Sequence, residues 1–301
     1  MYTRILVPLD GSATAEAVLP YAQAFAAGFK TSVELLSVID IGAMTIHLSA
    51  DKLPQLNVVI ANEEKNRASY LEDVAKNFFS RFPTECRIVR GSPAETILET
   101  TSKDRGALIA MATHGHSGAK RWLLGSVAEK VLRGTKNPLF LVRAAAAKTT
   151  PRRILNSIVV PLDGSSLAEQ ILPTVSNWAQ ALDVEVTLIR AFEFPASSYY
   201  GSEEDLPDYD AFREEARKEA AAYLKQKEES LVGKGVRTVS TLTLEGPAAA
   251  EIISYAQTAP RAVIAMSTHG RSGVQRWILG SVTEKVVRHA DDPVLIVRAG
   301  V

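Results

Sequence analysis

The 301-residue chain is poor in cysteine, with Cys86 alone. A single thiol excludes an intramolecular disulfide and a cysteine-built zinc cluster, and it suits a reducing compartment. Net charge is missing as well. Lys and Arg number 34, and so do Asp and Glu. No general field therefore draws the chain to nucleic acid or to an anionic membrane. Any bound anion must be held by local backbone and side-chain geometry. No apolar run reaches the roughly 18 residues of a membrane-spanning helix. The first twelve residues, MYTRILVPLDGS, read as a strand and a turn rather than a basic segment leading into a long apolar one. These absences predict a soluble, cytoplasmic protein with no nucleic-acid and no membrane partner. The apolar fraction of 46% is enough for two domains of ordinary size, each with its own core.

Comparing the chain with itself gives the organisation. Ile5–Ser12 reads ILVPLDGS and Ile158–Ser165 reads IVVPLDGS; Ala112–Arg133 reads ATHGHSGAKRWLLGSVAEKVLR and Ser267–Arg288 reads STHGRSGVQRWILGSVTEKVVR. The offsets between the paired segments, 153 and 155 residues, are nearly constant. A period this long indicates duplication of a whole domain, not a solenoid. Ala144–Arg153, AAAAKTTPRR, lacks an amphipathic period and contains Pro151. The expected layout is domain 1 over 1–143, a linker over 144–153 and domain 2 over 154–301.

Strand and helix patterns alternate within each half. In the first half, strands are expected at Ile5–Leu9, Val33–Ile39, Glu85–Val89, Ala107–Met111 and Leu139–Val142. Helices are expected at Ala13–Ala27, Gln55–Arg81, Pro93–Ser102 and Val127–Arg133. The second half repeats the order, with strands at Ile158–Leu162, Glu185–Ala191, Arg237–Leu242, Ala262–Met266 and Val294–Val297. Continuously apolar strands alternating with helices predict two tandem Rossmann-like α/β domains. Each would be a five-stranded, mainly parallel sheet with helices on both faces. Such sheets bind ligands beyond the carboxyl ends of their strands, where the winding reverses. The segments after strands one and four, which the two halves keep most alike, fall there.

Glycines dominate the segment after strand four: Gly115, Gly118 and Gly125-Ser126 in one half, Gly270, Gly273 and Gly280-Ser281 in the other. Glycines let backbone amides approach an anion, and a helix start adds free N–H groups and the positive dipole end. On this reading Gly125 and Gly280 matter more for binding than for folding. Lys120, Arg121, Arg271 and Arg276 could add local charge. The same residues also fit a plain capping box, Ser126 with Glu129 and Ser281 with Glu284. Neither a P-loop nor a dinucleotide fingerprint occurs. Asp10 and Asp163 end strand one, where a carboxylate can accept hydrogen bonds from a ribose or simply close an Asp-Gly turn. Val38 and Ala191 end strand two and can flank a base. His114 and His269 have no nucleophile elbow or metalloprotease motif around them, so a hydrogen bond within their own loop is expected. Trp122 and Trp277 are read as packing residues.

The chain resembles a tandem universal stress protein. The pattern G-x2-G-x9-G-[ST] after strand four is met from Gly115 to Gly125-Ser126 and from Gly270 to Gly280-Ser281. Ala112 and Ser267 replace its opening glycine. The resemblance implies ATP or another adenine nucleotide at the sheet edge, with or without Mg2+. Pro8, Asp10 and Val38 would serve the adenosine in the first half, and Ala112, Thr113, Gly115, Gly118, Gly125, Ser126 and Val127 the phosphates. The second half offers Pro161, Asp163, Ala191, Ser267, Thr268, Gly270, Gly273, Gly280, Ser281 and Val282. It also implies that Leu139–Val142 pairs with Val294–Val297 inside one chain, a homodimer being a further option. The expected function is a stress-response sensor or signalling module. A slow ATPase or phosphotransferase and a nucleotide-free scaffold are the alternatives. No catalytic residue and no metal ligand is assigned, and weak ATP hydrolysis is the most that is expected.

Overall fold

Ile5, Leu6 and Val7 are fully buried in the first strand, β1 (Arg4–Pro8). A strand that is apolar on both faces must be covered on both. The computed structural model describes residues 2–42, 56–114, 124–143, 154–193, 209–259, 261–268 and 279–300. The chain forms two compact units, Met1–Ile154 with Pro293–Ala299, and Leu155–Asp292.

Unit 1 continues through α1 (Leu19–Phe29), β2 (Ser32–Ile39), α2 (Leu56–Phe79), β3 (Thr84–Arg90), α3 (Pro93–Ser102), β4 (Leu108–Ala112), α4 (Ser126–Gly134) and β5 (Leu139–Val142). β1 pairs in parallel with β2 and β4, β2 with β3, and β4 with β5. The strand order is therefore 3-2-1-4-5, and the winding reverses between β1 and β4. α1 packs on α2, and α3 on α4, giving helical cover on both faces. In the core Phe25 stands edge-on to Phe140, with ring centroids 4.8 Å apart.

Unit 2 repeats the plan with β6 (Ser157–Pro161), α5 (Leu172–Leu182), β7 (Glu185–Phe192), α6 (Tyr209–Gly233), β8 (Val239–Glu245), α7 (Ala248–Thr258), β9 (Ala262–Ser267) and α8 (Ser281–His289). β6 pairs in parallel with β7 and β9, and β7 with β8. Trp178, fully buried, takes the position of Phe25.

The strand that closes the second repeat, β10 (Val294–Val297), belongs to unit 1. It runs antiparallel to β5, with Val294 opposite Leu141, Leu295 opposite Phe140 and Ile296 opposite Leu139. Both strands are almost wholly apolar, so an open edge here would expose unpaired backbone and hydrophobic side chains together. The pairing implied by the resemblance is present.

The helix expected at Ala13–Ala27 differs in detail. Ala15–Val18 is a 3-10 turn, and α1 starts afresh at Leu19. Pro20 has no N–H to donate and prefers the first turn of a helix, so the α-helical ladder begins there. Leu172–Leu182 starts in the same way, behind the 3-10 turn Ala168–Ile171 and with Pro173 in its first turn. Gly11 and Gly164 take φ of 81° and 87°, a left-handed conformation that turns the chain sharply after β1 and β6.

Candidate functional site

The reversal between β1 and β4 opens a cavity of about 230 Å³ at the carboxyl ends of the strands. Pro8, Asp10, Val38, Ala112, Thr113, Gly125, Ser126 and Val127 all border it. Unit 2 has a cavity of about 240 Å³ bordered by Pro161, Asp163, Ala191, Ser267, Gly280, Ser281 and Val282. Thr268 is buried and is not among its lining residues. Gly115, Gly118, Gly270, Gly273 and His269 lie outside the described residues, as do Lys120, Arg121, Trp122, Arg271, Arg276, Trp277 and the linker.

Both aspartates close a local turn. Oδ1 of Asp10 accepts the Ser12 N–H at 3.0 Å and the Ser12 hydroxyl at 2.6 Å, and Ser12 Oγ in turn accepts the Ala15 N–H at 3.1 Å. Asp163 Oδ1 accepts the Ser165 N–H at 2.9 Å, and Ser165 Oγ accepts the Ala168 N–H at 3.1 Å. The turn and the cavity use the same carboxylate. The turn fixes its position at the cavity wall.

α4 and α8 begin differently from the expected capping box. Gly125 and Gly280 are the N-cap residues, and neither helix start has a side-chain cap. Ser126 and Ser281 are the first helical residues. Glu129 Oε1 pairs with Arg133 at 3.1 Å, and Glu284 Oε1 with Arg288 at the same distance, so these carboxylates face down their own helices. The first-turn backbone, not a serine hydroxyl, is what each helix presents. Its leading N–H groups have no intrahelical acceptor by construction. Residues 125–128 border the first cavity and 280–283 the second.

Gly125 has φ −61° and Gly280 φ −59°, so neither needs glycine for a left-handed backbone. A Cβ on Gly125 would sit 2.7 Å from the Thr113 carbonyl oxygen. Two backbone segments meet there, so the fold itself constrains Gly125 at the cavity wall.

The sequence reading missed part of the lining. Leu9, Leu36, Pro93, Ile97 and His114 border the first cavity, and Ala248 and Ile252 the second. Pro93 and Ile97 reach it from α3, which sequence order does not place near β1. His114 follows the buried Thr113, whose N–H donates to the Val142 carbonyl at 2.8 Å. Nδ1 of His114 lies 3.1 Å from the Thr113 hydroxyl, the bond within the loop that was expected. Its Nε2 is buried, without a hydrogen-bond partner among the described residues. Burial, and secondarily the Arg143 guanidinium, lower the imidazole pKa below its ordinary value. The only sequence signal for this residue is the Thr-His-Gly run common to both halves.

Among the described residues no group of three or more His, Cys, Asp or Glu side chains could hold a metal ion, and no helix is long and apolar enough to cross a membrane.

The universal stress protein family model matches residues 1–143 and again 155–298. Universal stress protein MJ0531 of Methanocaldococcus jannaschii is 32% identical over 148 residues, covering 48% of this chain and 83% of the relative. Universal stress protein YxiE of Bacillus subtilis is 30% identical over 150 residues, covering 48% of this chain and all of the relative. Among solved structures, a universal stress protein from Archaeoglobus fulgidus aligns over the whole of both chains with a TM-score of 0.72 at 21% identity, a likeness of fold. With the family matched once in each half, over nearly the whole sequence, the chain belongs to the universal stress protein family, a family of stress-response proteins.

Proposed function

We propose that each repeat binds one adenine nucleotide, ATP foremost, in the crevice at its strand-one and strand-four ends, and that the chain acts as a nucleotide-dependent sensor or signalling module in the cytoplasm. One observation carries the reading. In both units the uncapped first turn of a helix and the carboxylate after the first strand border the same cavity. The helix start offers N–H groups and the positive dipole end to phosphate oxygens. The carboxylate, 10 or 163, offers acceptors to ribose hydroxyls. Between them an apolar wall of Val38, Leu36 and Ile97 in unit 1, and of Ala191 and Ile252 in unit 2, suits a flat base. Such a cradle needs no net positive charge, in keeping with the balanced composition. The site residues are Pro8, Asp10, Val38, Ala112, Thr113, Gly125, Ser126 and Val127, and their counterparts in the second repeat. Binding, not turnover, is the activity assigned.

Isothermal titration of nucleotide-free protein with ATP tests this. The expected stoichiometry is two per chain, with Asp10→Ala and Asp163→Ala each removing about one equivalent. The absence of any heat with ATP, ADP and AMP would overturn the reading.

A further inference from the structure

The two cavities share much of their lining, Pro8, Asp10, Gly125, Ser126 and Val127 recurring as Pro161, Asp163, Gly280, Ser281 and Val282. They differ in what holds that lining together. In unit 2 the hydroxyl of Ser267, at the end of β9, donates to the Ala168 carbonyl at 3.3 Å. The hydroxyl of Thr283, in the first turn of α8, donates to the Ser267 carbonyl at 3.1 Å. Ala168 in turn donates its N–H to Ser165 Oγ, and the Ser165 N–H donates to Asp163 Oδ1. A chain of hydrogen-bonded residues therefore runs from the carboxylate end of the crevice to the helix start. Its linking residues, Ala168, Ser267 and Thr283, are buried and border the cavity.

The counterparts in unit 1 are Ala15, Ala112 and Ala128, which border the first cavity at the same places. The beginning of the chain is present there too, from Asp10 through Ser12 to Ala15. It goes no further, because the methyl groups of Ala112 and Ala128 cannot donate. Both units keep a backbone tie between strand end and helix start, Gly125 N–H to the Thr113 carbonyl at 2.9 Å and Gly280 N–H to the Thr268 carbonyl at 2.8 Å. Unit 2 adds a side-chain tie to the backbone one.

We propose that the two crevices are unequal, unit 2 being the tighter site for a phosphorylated nucleotide, with Ser267 and Thr283 as its positioning residues. The proposal rests on the nucleotide reading and adds to it an order of filling. Both hydroxyls donate within the cavity wall, so they act on the free protein rather than on the ligand. A cradle tied before the ligand arrives loses less freedom on binding. A cradle that is competent only part of the time binds more weakly by that fraction. The carboxylate end is fixed by its own turn in both units, so the difference falls on the phosphate end. As nucleotide concentration rises, unit 2 fills first and unit 1 follows, and the chain responds in two steps.

The test uses full-length protein reduced to one site, Asp163→Ala leaving unit 1 and Asp10→Ala leaving unit 2. In titration calorimetry the unit-2 protein should bind ATP about tenfold more tightly than the unit-1 protein, a difference on the scale of one or two neutral hydrogen bonds. Adding Thr283→Val to the unit-2 protein should remove most of that advantage and leave adenosine affinity unchanged, while Thr283→Ser should keep it. Ala112→Ser with Ala128→Thr should tighten ATP binding by the unit-1 protein. The wild type supplies a check that needs no variant. Without ligand, the Gly280 amide should exchange with solvent more slowly than the Gly125 amide, its counterpart in the backbone tie. Where a variant fails to fold, that comparison decides. Equal ATP affinities in the two single-site proteins, or equal exchange at the two amides, would overturn the proposal and leave the nucleotide reading standing. If ATP binds to neither site, both fall together.

Discussion

The Thr113 carbonyl oxygen accepts the Gly125 N–H at 2.9 Å, and a Cβ on residue 125 would lie 2.7 Å from that same oxygen. The contact ties the end of β4 to the start of α4 at the cavity wall. The obstacle is backbone, so no flexible side chain can swing aside. Gly125→Val should therefore cost about 1–3 kcal/mol of stability from overpacking, visible as a lower ligand-free melting temperature. Ser126→Ala removes a hydroxyl that caps nothing and should change stability by less than about 0.5 kcal/mol. Should Gly125→Val melt like wild type, the close approach would not be a folding constraint.

Leu295 lies in the last strand, and its backbone pairs opposite Phe140 of β5. It is completely buried. Leu295→Ala should cost about 2–5 kcal/mol, as truncations of buried leucine do. The loss belongs to unit 1, although residue 295 follows unit 2 in sequence. Hydrogen exchange at Leu139–Val142 should accelerate while Ser157–Pro161 keeps its protection. Faster exchange confined to β6 and β7 would contradict the assignment of β10 to unit 1.

Much of this was legible in the sequence. Leu139–Val142 and Val294–Val297 read as strands because four consecutive apolar residues have few other fates in an α/β chain, and Pro93 marked the start of α3 through its missing N–H. The repeat itself showed where the two cavities would lie. Other features depend on distances that sequence does not contain. The approach of Thr113 to Gly125 is one, and it gives a glycine of the cavity wall a folding role as well. The entry of Pro93 and Ile97 into the cavity wall is another, because it follows from the order of strands in the sheet. The capping box failed because Ser126 and Ser281 fell one residue inside their helices, a shift of the kind periodicity does not resolve.

Asn137 and Asp292 occupy the same position in the two repeats, 155 residues apart, each just before a proline. Asn137 Nδ2 donates to the carbonyls of Asp104 at 2.6 Å and Ala107 at 3.0 Å. A carboxylate cannot donate in that way. Oδ2 of Asp292 is buried without a hydrogen-bond partner among the described residues, and burial first, then the Asp291 charge, raise its pKa. A folded-state pKa above the unfolded value of about 3.9 means that ionisation destabilises the fold. The penalty is absent below that value, grows as pH rises toward the folded pKa and is complete above it. Asp292→Asn should raise stability at pH 7 by about 1 kcal/mol and leave it unchanged at pH 3. The converse, Asn137→Asp, should destabilise at pH 7 by about 1–3 kcal/mol. Thermal melts of both variants at the two pH values check this, and an equal gain for Asp292→Asn at pH 3 would rule out ionisation as the cause.

The two units also place one arginine differently. In unit 1 it is Arg67 on α2, whose Nη1 donates to Ser37 Oγ in β2 at 3.2 Å. In unit 2, at an offset of 153, the strand position is Arg190 and the helix position is Ala220. Arg190 reaches outward from β7 to Glu219 at 3.1 Å, with its guanidinium carbon 5.1 Å from the centre of the Tyr223 ring. The arginine has moved from helix to strand, and Ala220, buried to 1% exposure, leaves the room. The exchange should be energetically coupled. In unit 1, Ser37→Arg alone would bring a second guanidinium against Arg67, in a space that Arg67 already fills. It would also remove the hydroxyl that donates to the Leu9 carbonyl at 3.0 Å. Arg67→Ala alone would leave a gap. Together they reproduce the arrangement of unit 2, with Tyr70 standing where Tyr223 does, though Asn66 replaces Glu219. The double variant should therefore be more stable than the sum of the single costs by about 0.5–3 kcal/mol, the range of contacting pairs. Denaturant melts of the four proteins close this cycle. Additivity within about 0.3–0.5 kcal/mol would mean that the two positions changed independently, and that their opposite occupancy in the two repeats is not one packing solution written in two ways.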